Sequence, residues 1–184
     1  MKRLAIPVAV LLLAAVAVYA TASGGDEGSA RAPEPAERAA YTRPCGLSTY
    51  RAYPANERDA ILGRVRIGAF RGNFENARAE DVHSSKPGRK DLKAPIVFPG
   101  RRDVTIAVPP SHRSVLRLQY KSNRSAGHPS VRFRSCARSR AEITGYAGAL
   151  IYTGPWPACV PLDVTVAGSP TTRHLVSLGA GRCG

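Results

Sequence analysis

Arginine spacing is the first place where this chain could do chemistry. Arg64 and Arg66, Arg117, and Arg132 and Arg134 alternate with apolar residues in three separate stretches. On a β-strand that spacing puts every cation of a stretch on one face. A planar guanidinium offers paired donors to phosphate or carboxylate, so such strands lying side by side would build an anion-binding face. The plainer reading is the solvated side of an antiparallel sheet. A second basic group lies between His83 and Arg102. There Lys86, Arg89, Lys90, Lys93, Arg101 and Arg102 outweigh Asp91, and Pro87-Gly88 and Pro99-Gly100 mark turns. A basic loop of this kind could rest on an anionic membrane or wall.

Catalytic patterns are sparse. His83, His112, His128 and His174 are scattered, with no H-x-x-x-H pair and no G-x-S-x-G elbow. Ser111 and His112 are neighbours in sequence, but a nucleophile and its base must meet in space. Asp103 and Asp163 are single carboxylates near expected strand starts. The enzymatic alternative is therefore a small secreted hydrolase whose site gathers dispersed His and Asp residues. No metal site and no cofactor is expected. The Gly-rich pieces Thr144–Gly148 and Gly179–Gly184 lack the Lys of a phosphate loop and read as turns or close strand packing. Asn123-Arg124-Ser125 matches a glycosylation sequon.

The cysteines, Cys45, Cys136, Cys159 and Cys183, are even in number. Their spacings are far from C-x-x-C, and no His stands near them at zinc-finger distance. Disulfides are the expected state in an oxidising compartment. Four cysteines allow three connectivities. The preferred one joins Cys136 to Cys159 across neighbouring strands and Cys45 to Cys183 at the two ends of a domain, since domain termini commonly lie close together.

That compartment is inferred from the N-terminus. Lys2 and Arg3 precede Leu4–Ala22, which has no charged side chain and is mostly Ala, Val and Leu. This is the pattern of a secretory signal, with cleavage expected before Ser23. The competing reading is a retained anchor, because as a helix the segment would reach about 28 Å, close to a bilayer's hydrocarbon thickness. Either way the remainder faces the outside. The formal net charge is +14, and only Lys2 and Arg3 of that excess precede Ser23. The expected partners are therefore anionic envelope polymers, lipid headgroups or a surface protein, with membrane contact if the segment is retained. Nucleic acid is not expected, since aromatic stacking residues do not alternate with the cations.

Positioning these residues falls to short strands. Ser23–Ala40 is Gly, Ser, Pro, Ala and charge, the composition of a disordered linker. The organisation expected is signal or anchor over 1–22, linker over 23–42 and a domain over 43–184. Eight strands are predicted: Arg64–Phe70, Pro95–Phe98, Asp103–Val108, Val115–Lys121, Val131–Arg134, Ala147–Thr153, Val160–Val166 and Arg173–Leu178. A short helix is predicted over Asn56–Leu62 behind Pro54. Many short strands with Gly/Pro turns point to an all-β fold, an antiparallel, Greek-key-like β-sandwich behind an N-terminal hydrophobic helix. An immunoglobulin domain proper is disfavoured, because Trp156 sits in a Gly-Pro-Trp-Pro turn and not on a strand between the cysteines.

The C-terminal third strings together VRFRSC (131–136), TGYAGA (144–149), the stretch from Gly154-Pro155 to Cys159-Val160-Pro161-Leu162, and GAGRC (179–183). In this it resembles small exported β-domain proteins of high-GC Gram-positive bacteria. The resemblance implies an exported β domain and no catalytic residues. The function expected is a non-enzymatic exported or membrane-tethered β-sandwich module that meets anionic cell-envelope components or a surface protein.

Overall fold

A computed structural model describes residues 40–47, 54–121, 126–138 and 142–183. The expected signal or anchor over Leu4–Ala22, nearly all of the linker and the sequon lie outside the described residues. Among the described residues no helix is long and apolar enough to cross a membrane.

The fold is mostly β. Its strands are β1 (Tyr41–Arg43), β2 (Ala60–Leu62), β3 (Val65–Ile67), β4 (Lys90–Lys93), β5 (Ile96–Pro99), β6 (Val104–Ala107), β7 (Leu116–Gln119), β8 (Ser130–Phe133), β9 (Ile143–Tyr146), β10 (Ala149–Tyr152), β11 (Ala158–Val166) and β12 (Thr172–Leu178). They form three sheets, ordered β1-β8-β6-β11-β12, β4-β10-β7 and β2-β3-β5-β9. Every pairing is antiparallel except β1 with β8, which run parallel. Inward positions of all three sheets meet in one apolar cluster that includes Phe98, Leu116, Leu118, Phe133, Tyr146, Leu150 and Leu162. Period-two alternation makes this possible: in β6, Val104 and Ile106 are buried while Thr105 and Ala107 are half-exposed.

All eight expected strands are present, four of them shorter than read and two, β11 and β12, longer. The predicted helix over Asn56–Leu62 is not formed. Asn56 Oδ1 accepts the Arg58 N–H and Asp59 Oδ2 accepts the Asn56 N–H, so the segment turns and then enters β2. The helix, α1 (Phe70–Phe74), stands just beyond the end of β3. Its two phenylalanines, four residues apart, are both buried with ring centroids 4.8 Å apart. The expected basic loop between His83 and Arg102 is also revised, since β4 and β5 occupy its middle.

The disulfides are Cys45–Cys136 and Cys159–Cys183, not the expected Cys136–Cys159 and Cys45–Cys183. The parallel pairing of β1 with β8 is the reason for the first. It sets Arg43 beside Phe133, so the two chains leave in the same direction and bring their cysteines to a Cα separation of 5.3 Å. The second follows from the β11–β12 hairpin, which sets Cys159 opposite Ser177 and returns the chain to it. Strand β8 pairs with β1 and β6 and not with β11, so Cys136 and Cys159 are not on neighbouring strands. Two disulfides suit an oxidising, extracytoplasmic environment. Non-reducing proteolysis and mass spectrometry should recover peptides linked 45–136 and 159–183; a 136–159 peptide would overturn the β1–β8 pairing as well.

Candidate functional site: an arginine cleft where two sheets meet

The three arginine-bearing strands do not assemble into one face. Strand β3 lies in the four-stranded sheet, β7 in the three-stranded sheet and β8 in the five-stranded sheet. Most of the arginines are also neutralised locally. Arg66 pairs with buried Asp59 at 3.1 Å. Asp103 Oδ2 takes Arg132 at 2.9 Å and Arg134 at 3.4 Å, while its Oδ1 accepts the Ser135 N–H at 2.9 Å. Arg89 Nε donates to Asp91 at 2.6 Å. Arg117 is half-buried on β7. In the second group, Lys90 Nζ donates to the Ala79 carbonyl, and Lys86 is exposed in a turn where Ser84 Oγ donates to its carbonyl.

What the fold does gather is Arg64, Arg101 and Arg102. Arg64 is at the tip of the β2–β3 hairpin, where Leu62 pairs with Val65 and leaves only Gly63 and Arg64 to turn. The β3–β5 register pairs Arg66 with Val97, which carries the tip toward the end of β5. Arg101 and Arg102 occupy the crossing from β5 to β6, where the chain passes from one sheet to another. Val104 and Val166, paired at the β6–β11 end, supply a further wall. The result is a cleft of about 620 Å³ lined by Arg64, Arg101, Arg102, Phe98, Pro99, Gly100, Val104 and Val166. Among the described residues its lining holds no carboxylate. The acid nearest in sequence, Asp103, is fully engaged by Arg132, Arg134 and Ser135. Among the described residues none of the three arginines has an ion-pair partner. All three are exposed.

A second depression, about 530 Å³, lies over the outer face of the three-stranded sheet. Ala149 is paired with Lys93 on one side and Gln119 on the other, so these side chains share a face. Small residues make the floor: at Gly148 an added Cβ would stand 2.1 Å from the Tyr120 ring. Arg43, Lys93, Lys121, Arg89 and His83 line it, but so do Asp91, Ser85 and Gln119. Burial pushes the Asp91 carboxyl up, yet hydrogen bonds from Ser85 and the Arg89 guanidinium outweigh burial and hold it below its usual range. This depression therefore carries a fixed negative charge among its cations, unlike the arginine cleft.

The hydrolytic alternative gains one contact. Ser111 Oγ lies 2.9 Å from His112 Nδ1, on a short 3₁₀ turn at Pro110–His112. Among the described residues no carboxylate orients His112, which a triad-like arrangement needs. Among the described residues no three metal-ligating side chains converge. His174 Nε2 is held by Thr172 Oγ1 at 2.9 Å. Asp163 is occupied by Arg173 through two hydrogen bonds.

His128 serves the fold. Its ring stacks on Tyr41 at 4.6 Å, and its backbone bridges to Leu118. Burial lowers its pKa, and the charges of Lys121 and Arg117 lower it further. The native state then binds fewer protons than the unfolded chain just below pH 6.5, so stability should be fully present above that value and fall as pH drops through the depressed folded pKa. An NMR titration should find the His128 pKa below 6.5; a value at or above 6.5 would remove this pH dependence.

Comparison of the chain with protein-family models, with curated proteins and with solved structures finds no match.

Sequence reasoning placed Arg64 with one basic group and Arg101 and Arg102 with another. The signal that could have joined them is the pair of turns, Gly63-Arg64 and Gly100-Arg101-Arg102, at the same end of two strands that pair antiparallel.

Proposed function

We propose that this chain is an exported or membrane-tethered, non-catalytic β-sandwich module that binds anionic cell-envelope material through the arginine cleft. The observation that carries this reading is the gathering of Arg64, Arg101 and Arg102 around a cleft whose lining, among the described residues, holds no carboxylate. Elsewhere in the same sheets, arginines such as Arg66, Arg132 and Arg173 stand against acids. Uncompensated guanidinium groups converging on one concavity are a standing attraction for an oxyanion, and a concave site strengthens the field. The signal-like start and the two disulfides support an extracytoplasmic location. A single apolar cluster shared by three open sheets supports the sandwich.

The test is cosedimentation of the folded domain with cell-wall material and with vesicles containing an anionic lipid. The combined variant Arg64→Ser, Arg101→Ser, Arg102→Ser should bind at least tenfold more weakly. Replacing exposed Arg78 and Arg182 by Ser removes charge outside the cleft lining and should cost much less. Binding of the parent should fall steeply with salt, as exposed charges are screened beyond about 10 Å at 0.1 M. Equal losses in the two sets would mean that net charge, and not the cleft, holds the ligand.

A further inference from the structure

Building on the anion-binding reading, we infer that the arginine cleft takes a phosphoryl group in preference to the carboxylates of an acidic glycan. The chemistry of the lining carries this. Among the described residues every polar side chain in it is an arginine, which donates hydrogen bonds and accepts none. The backbone of Gly100 offers little more. Its N–H donates to the Glu142 carbonyl at 2.9 Å, and its carbonyl accepts from Ser135 Oγ at 2.6 Å. Pro99 has no N–H to give. Phe98 and Val104 are buried, and Val166 is half-buried. The site is therefore suited to a group that only accepts.

A uronic acid fails this condition. Its carboxylate accepts, but its ring hydroxyls are donors, and no side chain in the lining can receive them. Geometry points the same way. The guanidinium groups arrive from two directions, one from the β2–β3 hairpin tip and two from the β5–β6 crossing. A carboxylate presents only two oxygens, both in one plane, and pairs best with a fork lying in that plane. The terminal oxygens of a phosphoryl group are arranged tetrahedrally and can accept from forks that do not share a plane.

Two sources share this chemistry, a lipid headgroup and a soluble phosphorylated polymer. The experiment separates them and separates this inference from the anion-binding reading. Affinity of the full-length protein is measured for phosphorylated dextran and carboxymethyl dextran at matched charge density. It is also measured for phosphatidylcholine vesicles containing either phosphatidic acid or a carboxylate-headed lipid at matched surface charge. The expected result is at least a tenfold preference for the phosphate-bearing member of either pair. That preference should be lost in the Arg101→Ser, Arg102→Ser variant. It should also be reduced in Arg101→Lys, Arg102→Lys, which keeps the charge but removes the planar fork. Preference in both pairs identifies the phosphoryl group itself as the ligand; preference in the vesicle pair alone identifies a lipid headgroup. Equal affinity for phosphate and carboxylate that still needs the arginines overturns this inference and leaves the anion-binding reading standing. Affinity that ignores the arginines overturns both. Melting curves of the variants, all of them changes at exposed turn positions, show that the folded domain is being compared.

Discussion

Replacing Asp59 with Ala is expected to lower stability by about 3–5 kcal/mol, the range for removing one partner of a buried ion pair. Its side chain is fully buried, and every hydrogen bond it makes holds a different part of the chain. Oδ2 accepts from Arg66 at 3.1 Å on β3 and from the Asn56 N–H at 3.3 Å. Oδ1 accepts from the Ala69 N–H at 2.8 Å. Ala69 is the residue that turns β3 into α1, with φ at +54°, a conformation that L side chains adopt at a cost of about 1–2 kcal/mol. The carboxylate therefore pins the strained corner as well as compensating an arginine that is only 14% exposed. Asp59→Asn keeps the shape and an acceptor, so it should lose less. Adding Arg66→Met to Asp59→Ala should recover part of the loss, because the pair is then replaced by an apolar group. Chemical denaturation of the single and double variants checks this. A loss below about 1 kcal/mol for Asp59→Ala, in the range of an exposed pair, would show that this carboxylate does not organise the corner.

The strands were legible because a single physical rule writes them. Val104, Ile106 and Val108 are buried at every second position, and so are Leu116, Leu118 and Tyr120. What the rule cannot see is the second face. Gln119 reads as an outward polar residue yet is 7% exposed, a burial that strand phase does not report. Strand β4 was missed for a related cause: in Lys90-Asp91-Leu92-Lys93 only Leu92 faces the core, too little apolar signal to distinguish it from a charged loop. Strands β1 and β2 have three residues each and are held by their neighbours. The cysteine pairing depends on a parallel contact between segments about 90 residues apart, and no local pattern reports such contacts. The same holds for the cleft. Asp59 compensates Arg66 and not Arg64, and Asp103 is bound by Arg132, Arg134 and Ser135 and not by Arg101 or Arg102 beside it in sequence. Strand phase shows which side a cation faces; only the tertiary structure shows whether an acid is waiting there.

Gly179→Ala is the other substitution with a large expected cost, about 3–4 kcal/mol, and its components can be separated. Gly179 has φ of +72°, and its N–H donates to the Phe74 carbonyl at 2.7 Å. A Cβ there would lie 2.4 Å from Trp156 Nε1 and 2.5 Å from the Ala77 carbonyl oxygen. Those two atoms are hydrogen-bonded to each other at 3.0 Å, so the methyl group would wedge into the bond that ties the Trp156 turn to the segment following α1. The backbone conformation alone accounts for about 1–2 kcal/mol. Breaking or displacing a partly buried hydrogen bond adds about 1–3 kcal/mol. Gly168 isolates the first component, because its φ is +78° and nothing lies within 4 Å of its Cβ position. Gly168→Ala should thus show the conformational cost without the wedge. The difference between the two variants, about 1–3 kcal/mol by denaturation, then measures the wedge. Trp156 is the sole tryptophan, so its fluorescence should shift in the folded state of Gly179→Ala and stay unchanged in Gly168→Ala. Equal losses in the two variants with no spectral change would mean that the Trp156 side chain and the Ala77 carbonyl yield freely, and that the C-terminal end of β12 is not locked to α1 through this contact.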